Sequence, residues 1–153
     1  MSGEFLKDLV KHKQWVAGYM QLVANNLFKR AAIHDNSKFE PVEFEPYDKA
    51  FPEFKKYAFG SPEMKAVYES IQPALQHHYE QNRHHPEHFE NGINDMHLVD
   101  VLEMVCDWLA ASKRSQTGIE KGLEINKERY GIDDQLFQVI SNTVKAILTE
   151  EEE

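Results

Sequence analysis

The sequence predicts an all-α fold, a single compact helical domain of about six helices. Three observations lead there. Apolar residues recur at spacings of three and four through most of the chain, the signature of one-sided helices. No stretch alternates apolar and polar residues as a half-buried strand does. Helix start and stop residues punctuate the periodic segments at plausible lengths. At 153 residues the chain is long enough to bury a core as one domain. We expect that domain over residues 1–148, followed by an acidic, frayed tail over 149–153.

Taken in order, Ser2-Gly3-Glu4 leads into a helix whose stripe is Phe5, Leu9, His12, Val16, Met20, Val23 and Leu27. His12 is therefore expected on a buried stripe. Asn25-Asn26 predicts a break, followed by a shorter apolar helix from Leu27 to Ile33. His34-Asp35-Asn36-Ser37-Lys38 closes it, with Pro41 just beyond as a stop signal. Residues 39–61 carry three prolines and a high density of aromatics, and read as an ordered connection with short helical turns.

Ser61-Pro62-Glu63 is a helix start, with serine as cap and proline at the first helical position. That helix is expected to kink at Pro73 and to run to about Asn82 or Arg83. Pro86 ends it, because the residue before a proline disfavours helical angles. A short turn over Pro86–Glu90 leads to Asn91-Gly92, and Asn94-Asp95 precedes a helix from Met96 to Lys113. Two more are expected over Ser115–Arg129 and Asp133–Leu148, the second capped by Asp133 or Asp134.

Composition bounds the function classes. A net charge of −9 without a basic stripe argues against duplex nucleic acid as a partner. A small anionic ligand needs only a local positive centre, which a divalent metal can supply. The single cysteine, Cys106, forms no internal disulfide and fits a cytoplasmic setting. No apolar run reaches the ~18 residues of a membrane span.

Residues 77–88, HHYEQNRHHPEH, hold five of the eight histidines. Neutral imidazole is the commonest metal ligand and titrates near neutral pH. If the helix persists to residue 83, His78 and Asn82 share a face and His77 is turned about 100° away. At most one of the pair His77 and His78 is then expected to ligate a given ion. The other meets a second ion, a phosphate or a supporting carboxylate. His84, His85 and His88 lie on the loop beyond, where side chains are displayed to ligands. The bland alternative is a polar surface loop.

Elsewhere, an adjacent imidazole and carboxylate at a loosened helix end, His34-Asp35, can both reach one ion. Alternatively Asp35 caps a turn and His34 is a satisfied core histidine. Asp100, Glu103 and Asp107 share a helix face with Ala111. A carboxylate there is costly to bury without a cation, or else forms a solvated acidic edge. Lys38 and Arg83 can neutralise a phosphate or serve as ordinary surface charges.

In this order, His12, His34-Asp35 and Asp107 resemble the metal-ligand pattern of the HD superfamily of metal-dependent phosphohydrolases. AAIHDNSK resembles the family's helix-HD-x-x-K form, CDWLAA its late aspartate helix, and His77-His78 the double histidine of binuclear members. More narrowly, HDNSKFEP, NRHHPEH and EMVCDW together look like a family of small, often phage-encoded proteins of the DUF5662 type.

Several features depart from the HD pattern. No GYP triplet follows the double histidine, Asp8 stands where some binuclear members have glutamate, and Lys38 stands where nucleotidase-like members carry a catalytic glutamate.

The resemblance implies an HD-type helical domain. It also implies one or two divalent ions (Mn, Fe, Co, Ni or Zn). His12, His34, Asp35 and Asp107 are the expected ligands, with His78 and His85 as further ones. The implied reaction is hydrolysis of a nucleotide or related small phosphate ester, monoester or cyclic or dinucleotide diester. Asp35 would orient water, and Lys38 would offset phosphate charge. His84, His85 or His88 would donate a proton. Lys38, Asn82, Arg83 and His77 would contact substrate. The rival reading is a non-catalytic metal- or nucleotide-sequestering module, and homo-oligomerisation is left open.

Overall fold

The structure is a computed structural model that describes residues 3–152. Among them the architecture is all-α, as expected, with no strand. The chain divides into two units, residues 1–34 and 35–153.

The first unit is one helix, α1 (Gly3–Ile33). The break expected at Asn25-Asn26 does not occur. Asparagine is only a moderately poor helix former, and Arg30 Nε donates to Asn26 Oδ1 at 2.8 Å one turn on. Such pairs, four residues apart, add a few tenths of a kcal/mol, about 0.2–0.5. None of the described residues of α1 is buried. The stripe expected to be buried is instead exposed from Phe5 to Val23, His12 included, and Leu27 is half-buried.

The second unit begins with Asp35 and a 3-10 turn, Asn36–Phe39. Next come α2 (Pro41–Lys56), α3 (Pro62–Ser70) and α4 (Gln72–Gln81). Short 3-10 turns at Pro86–His88 and Gly92–Asp95 lead to α5 (Leu98–Ser112), α6 (Ile119–Tyr130) and α7 (Asp134–Glu152). Residues 149–152 therefore continue α7 as helix, and Glu153 lies outside the described residues.

Two expectations for this unit are corrected. Residues 41–56 form one regular helix despite Pro46 and Pro52. Each internal proline forgoes a backbone hydrogen bond and strains the preceding turn. Burial of Ala50, with Tyr47 and Phe54 packed beside it, offsets that cost. Pro73 does not kink a continuous helix either. The chain ends α3 at Ile71 and restarts, so Pro73 lies in the first turn of α4, where its missing N–H costs nothing. Ser61 caps α3 as read, accepting from Met64 N at 3.1 Å, and Asp133 Oδ1 accepts from Leu136 N at 2.8 Å.

Two apolar clusters hold the unit. Ala50, Val67, Ile71 and Leu75 join α2, α3 and α4, with Tyr47, Phe54, Tyr68 and Tyr79 around them. Val105, Leu109, Leu123, Ile132, Ile140 and Val144 join α5, α6 and α7. Trp108 stacks on Tyr130 beside the second cluster, with planes 3° apart. The segment 82–97 connects the two clusters, and it carries His84 and His85.

Gly60 tests the packing between these layers. It sits at φ +82° in the turn closed by Ser61 N on Ala58 O at 3.1 Å, and a Cβ there would lie 2.9 Å from Ile125 Cδ1. Left-handed backbone costs an L-residue about 1–2 kcal/mol before any clash. Gly60→Ala is expected to lower the urea unfolding free energy by about 1–3 kcal/mol. An unchanged urea midpoint would show that the turn relaxes freely.

Candidate metal centre

Asp35 opens the second unit in an unusual backbone state. Its φ of 57° is the only positive value at a non-glycine among the described residues. Aspartate tolerates this region better than most side chains. This left-handed residue is the N-cap of the 3-10 turn that follows. Lys38 Nζ lies 2.6 Å from Asp35 Oδ2, across the 3-10 turn. The other oxygen, Oδ1, lies 3.3 Å from His78 Nε2 and 3.4 Å from His84 Nε2.

His78 is fully buried on α4. Its Nδ1 lies 2.9 Å from Glu43 Oε2, 3.1 Å from Asn82 Nδ2 and 3.3 Å from Ser37 Oγ. The hydrogens can be assigned by counting donors. Asn82 Nδ2 donates to Ser37 Oγ and to the His78 carbonyl, both at 2.8 Å. Both its hydrogens are spent, so none is left for Nδ1. A carboxylate oxygen has no hydrogen to give, so the proton between Nδ1 and Glu43 belongs to the imidazole. His78 then holds its hydrogen on Nδ1 and presents a bare lone pair at Nε2.

That lone pair points into a cluster. His78 Nε2 lies 2.9 Å from His85 Nε2 and 3.3 Å from Asp35 Oδ1. Ligand atoms of Asp35, His78, His84 and His85 all lie within 4.8 Å of one another. His84, fully buried, repeats the His78 pattern: its Nδ1 lies 3.3 Å from Glu103 Oε1 while its Nε2 faces Asp35. Two imidazoles thus each have a carboxylate behind Nδ1 and a shared carboxylate in front of Nε2. This outer-shell arrangement is what orients metal-binding histidines. A carboxylate oxygen of Asp107 also lies within 4.8 Å of a ring nitrogen of His84.

Burial favours the neutral form of His78 and His85. Burial, and next the charges of His84 and His78, push His85 from the ordinary imidazole value down to about 2. Burial, then Lys38, lowers His78 as well, against the opposing pull of Asp35 and Glu43. Neutral imidazole is the ligand form. Three imidazole nitrogens and one carboxylate oxygen fit a borderline divalent cation. The cluster could hold a metal ion.

The other sequence-predicted residues fall in different places. Asn82 is buried in the Ser37–His78 network, so its amide hydrogens are committed to the fold. Arg83 is bidentate to the buried Asp100, Nε to Oδ1 at 3.2 Å and Nη2 to Oδ2 at 3.1 Å, and lies over the Phe89 ring. His77 turns to Glu43 Oε1 at 2.7 Å, with Nε2 3.6 Å from Glu40. His88 donates from Nδ1 to the Tyr79 carbonyl at 2.9 Å. His84, expected as a proton donor, stands among the candidate ligands. His12 and His34 belong to the first unit.

Two residues escaped sequence reasoning as site partners. Glu43 is wholly buried, and Ser37 anchors Asn82. Glu43 was hidden because residues 39–61 did not read as a regular helix, so no periodicity placed it facing α4. Its position in the first turn after Pro41 was the available signal, since acidic residues favour that end of a helix. A separate depression of about 360 Å³, lined among others by Pro86, Ile93, Arg129, Tyr130 and Leu136, includes none of the four cluster residues.

No described helix is long and apolar enough to cross a membrane. Neither the curated proteins nor the solved structures contain a match to this chain. The family described as "Family of unknown function (DUF5662)" matches residues 1–150, and the chain belongs to that family.

Proposed function

We propose that the chain is a metal-dependent phosphohydrolase of HD type, acting on a nucleotide or a related small phosphate ester. The observation that carries the reading is the convergence of imidazole nitrogens on one carboxylate oxygen. His78 Nε2 and His84 Nε2 stand 3.3 and 3.4 Å from Asp35 Oδ1, and His85 Nε2 stands 2.9 Å from His78 Nε2. A bare imidazole nitrogen facing a carboxylate oxygen repels it unless a proton or a cation lies between them. Low dielectric around buried groups sharpens that repulsion.

Asp35, His78, His84 and His85 would hold the ion. When bound, a divalent ion lowers the pKa of a coordinated water and polarises a phosphoryl oxygen. Lys38 remains partly exposed beside Asp35 and would offset charge on non-bridging phosphate oxygens. Tyr47 lies edge-on to His78 with Lys38 above its ring, and burial raises its phenol far above the ordinary range. It stays a neutral wall of the site. The order of His34-Asp35, the histidine pair and Asp107 in the sequence adds the phosphohydrolase class through its resemblance to the HD superfamily.

The test has two stages. Purified protein is analysed for metal content and then assayed with Mn²⁺, Co²⁺ or Zn²⁺. Substrates are nucleoside mono- and triphosphates, cyclic nucleotides and cyclic dinucleotides. We expect a bound ion and phosphate release that disappears in His78→Ala. Metal binding without turnover on any of these would favour a sequestering module. A protein that takes up no divalent ion even on loading would sink the reading.

A further inference from the structure

We infer that Glu43 is a positioning residue that clamps two adjacent imidazoles and so fixes which nitrogen of His78 faces the candidate metal centre. The role as a support for a metal ligand rests on the proposed function; the clamp itself does not.

Consecutive residues on a helix point about 100° apart. His77 and His78 therefore diverge from α4, and one carboxylate placed in the angle between them can serve both. Glu43 stands there. Its Oε1 accepts from His77 Nδ1 at 2.7 Å, and its Oε2 accepts from His78 Nδ1 at 2.9 Å. The side chain is wholly buried. An isolated carboxylate at that depth is strongly disfavoured, and two donors in front of it together with the amino-terminal turn of α2 behind it offset the cost.

The chemistry requires a carboxylate. Two N–H donors converge, one on each oxygen, so both partner atoms must accept. Glutamine has nearly the same shape but offers one acceptor and one donor. In Glu43→Gln, one imidazole must move its hydrogen to Nε2 and accept at Nδ1. His78 Nδ1 also has Ser37 Oγ at 3.3 Å, whose hydroxyl can either donate or accept. His77 Nδ1 has no such adaptable neighbour in the described contacts. His78 is therefore the imidazole expected to switch. Its lone pair then leaves the centre, and an N–H points at Asp35 and His85 instead.

The first measurement is on native, metal-free protein. Long-range ¹⁵N–¹H correlation spectra at about pH 8, above the ordinary imidazole range, report the tautomer of each histidine. His78 is expected as the Nδ1–H form. Finding it as Nε2–H overturns the inference without any variant, so a poorly folding mutant cannot leave the question open. The second measurement is the same spectrum on Glu43→Gln, where the His78 pattern should invert. If both tautomers persist, the inference fails.

Calorimetric titration with Zn²⁺ or Co²⁺ then gives the consequence, an affinity about 10- to 100-fold weaker in the variant. Native protein that binds the ion while Glu43→Gln binds it equally well overturns the positioning role and leaves the proposed function standing. Inverted tautomers in a protein that never binds a divalent ion support the clamp and overturn the proposed function.

Discussion

His85→Ala is expected to weaken binding of a divalent ion by more than about 100-fold, since losing a ligand exceeds the 10- to 100-fold typical of losing its support. The reason is the place of Nε2. It lies 2.9 Å from His78 Nε2, inside the cluster that includes Asp35 and His84. Calorimetric titration measures the loss directly. Equal affinity in the variant would remove His85 from the ligand set while leaving Asp35, His78 and His84.

The same residue governs the acid limb of the metal-free protein. Burial, with His84 and His78 adding to it, holds His85 down at about 2, whereas an unfolded chain protonates its histidines near 6.5. Between these values the unfolded state binds a proton that the folded state does not. Stability therefore rises with pH across that window, by up to about 1.4 kcal/mol per pH unit for one such group. It is fully present above about 6.5 and is lost as pH falls toward 2. His78, shifted the same way by burial, adds to the slope. Urea midpoints at about pH 7 and about pH 5 should converge for His85→Ala relative to the native chain. Parallel slopes in the two proteins would contradict the neutral burial of His85. The cluster is costly to hold without a cation, and that cost is what makes it receptive to one.

How much of this could be read from the sequence depends on the kind of signal. Caps are local chemistry, so Ser61-Pro62 and Asp133 marked helix starts that the structure retains. Prolines are a weaker guide. Pro73 and the prolines of α2 are tolerated through their placement in a first turn or through packing around Ala50, and neither is a local property. The histidine cluster was legible as composition, and His77 beside a supporting carboxylate was one of the outcomes that helical geometry allowed. Which carboxylate it would be was not legible. Glu43 lies 34 residues before His77, on a helix that its prolines disguised. Likewise Arg83 read as a phosphate contact. The partner that occupies it, Asp100, lies 17 residues away and turns inward only because α5 begins there.

That pairing carries the second large expected effect. Asp100→Ala should destabilise the protein by about 2–4 kcal/mol, from a lost cap of about 1 and lost charge-assisted bonds, discounted because Arg83 is nearly half exposed. Asp100 is wholly buried at the third position of α5, where it closes a capping box with His97. Its Oδ2 accepts from His97 N at 3.1 Å, and its own N–H donates to His97 Nδ1 at 3.3 Å. The same carboxylate grips Arg83, the residue directly before His84 and His85. Removing it frees the start of α5 and the segment that carries two candidate ligands. Metal affinity should therefore fall along with stability, whereas Gly60→Ala, on a turn that packs against Ile125, should lower stability alone. Urea unfolding and metal titration on both variants separate these outcomes. If Asp100→Ala unfolds early but binds the ion as tightly as native protein, the Arg83–Asp100 pair serves only the fold. His84 and His85 must then be held from the Glu103 and His78 sides alone.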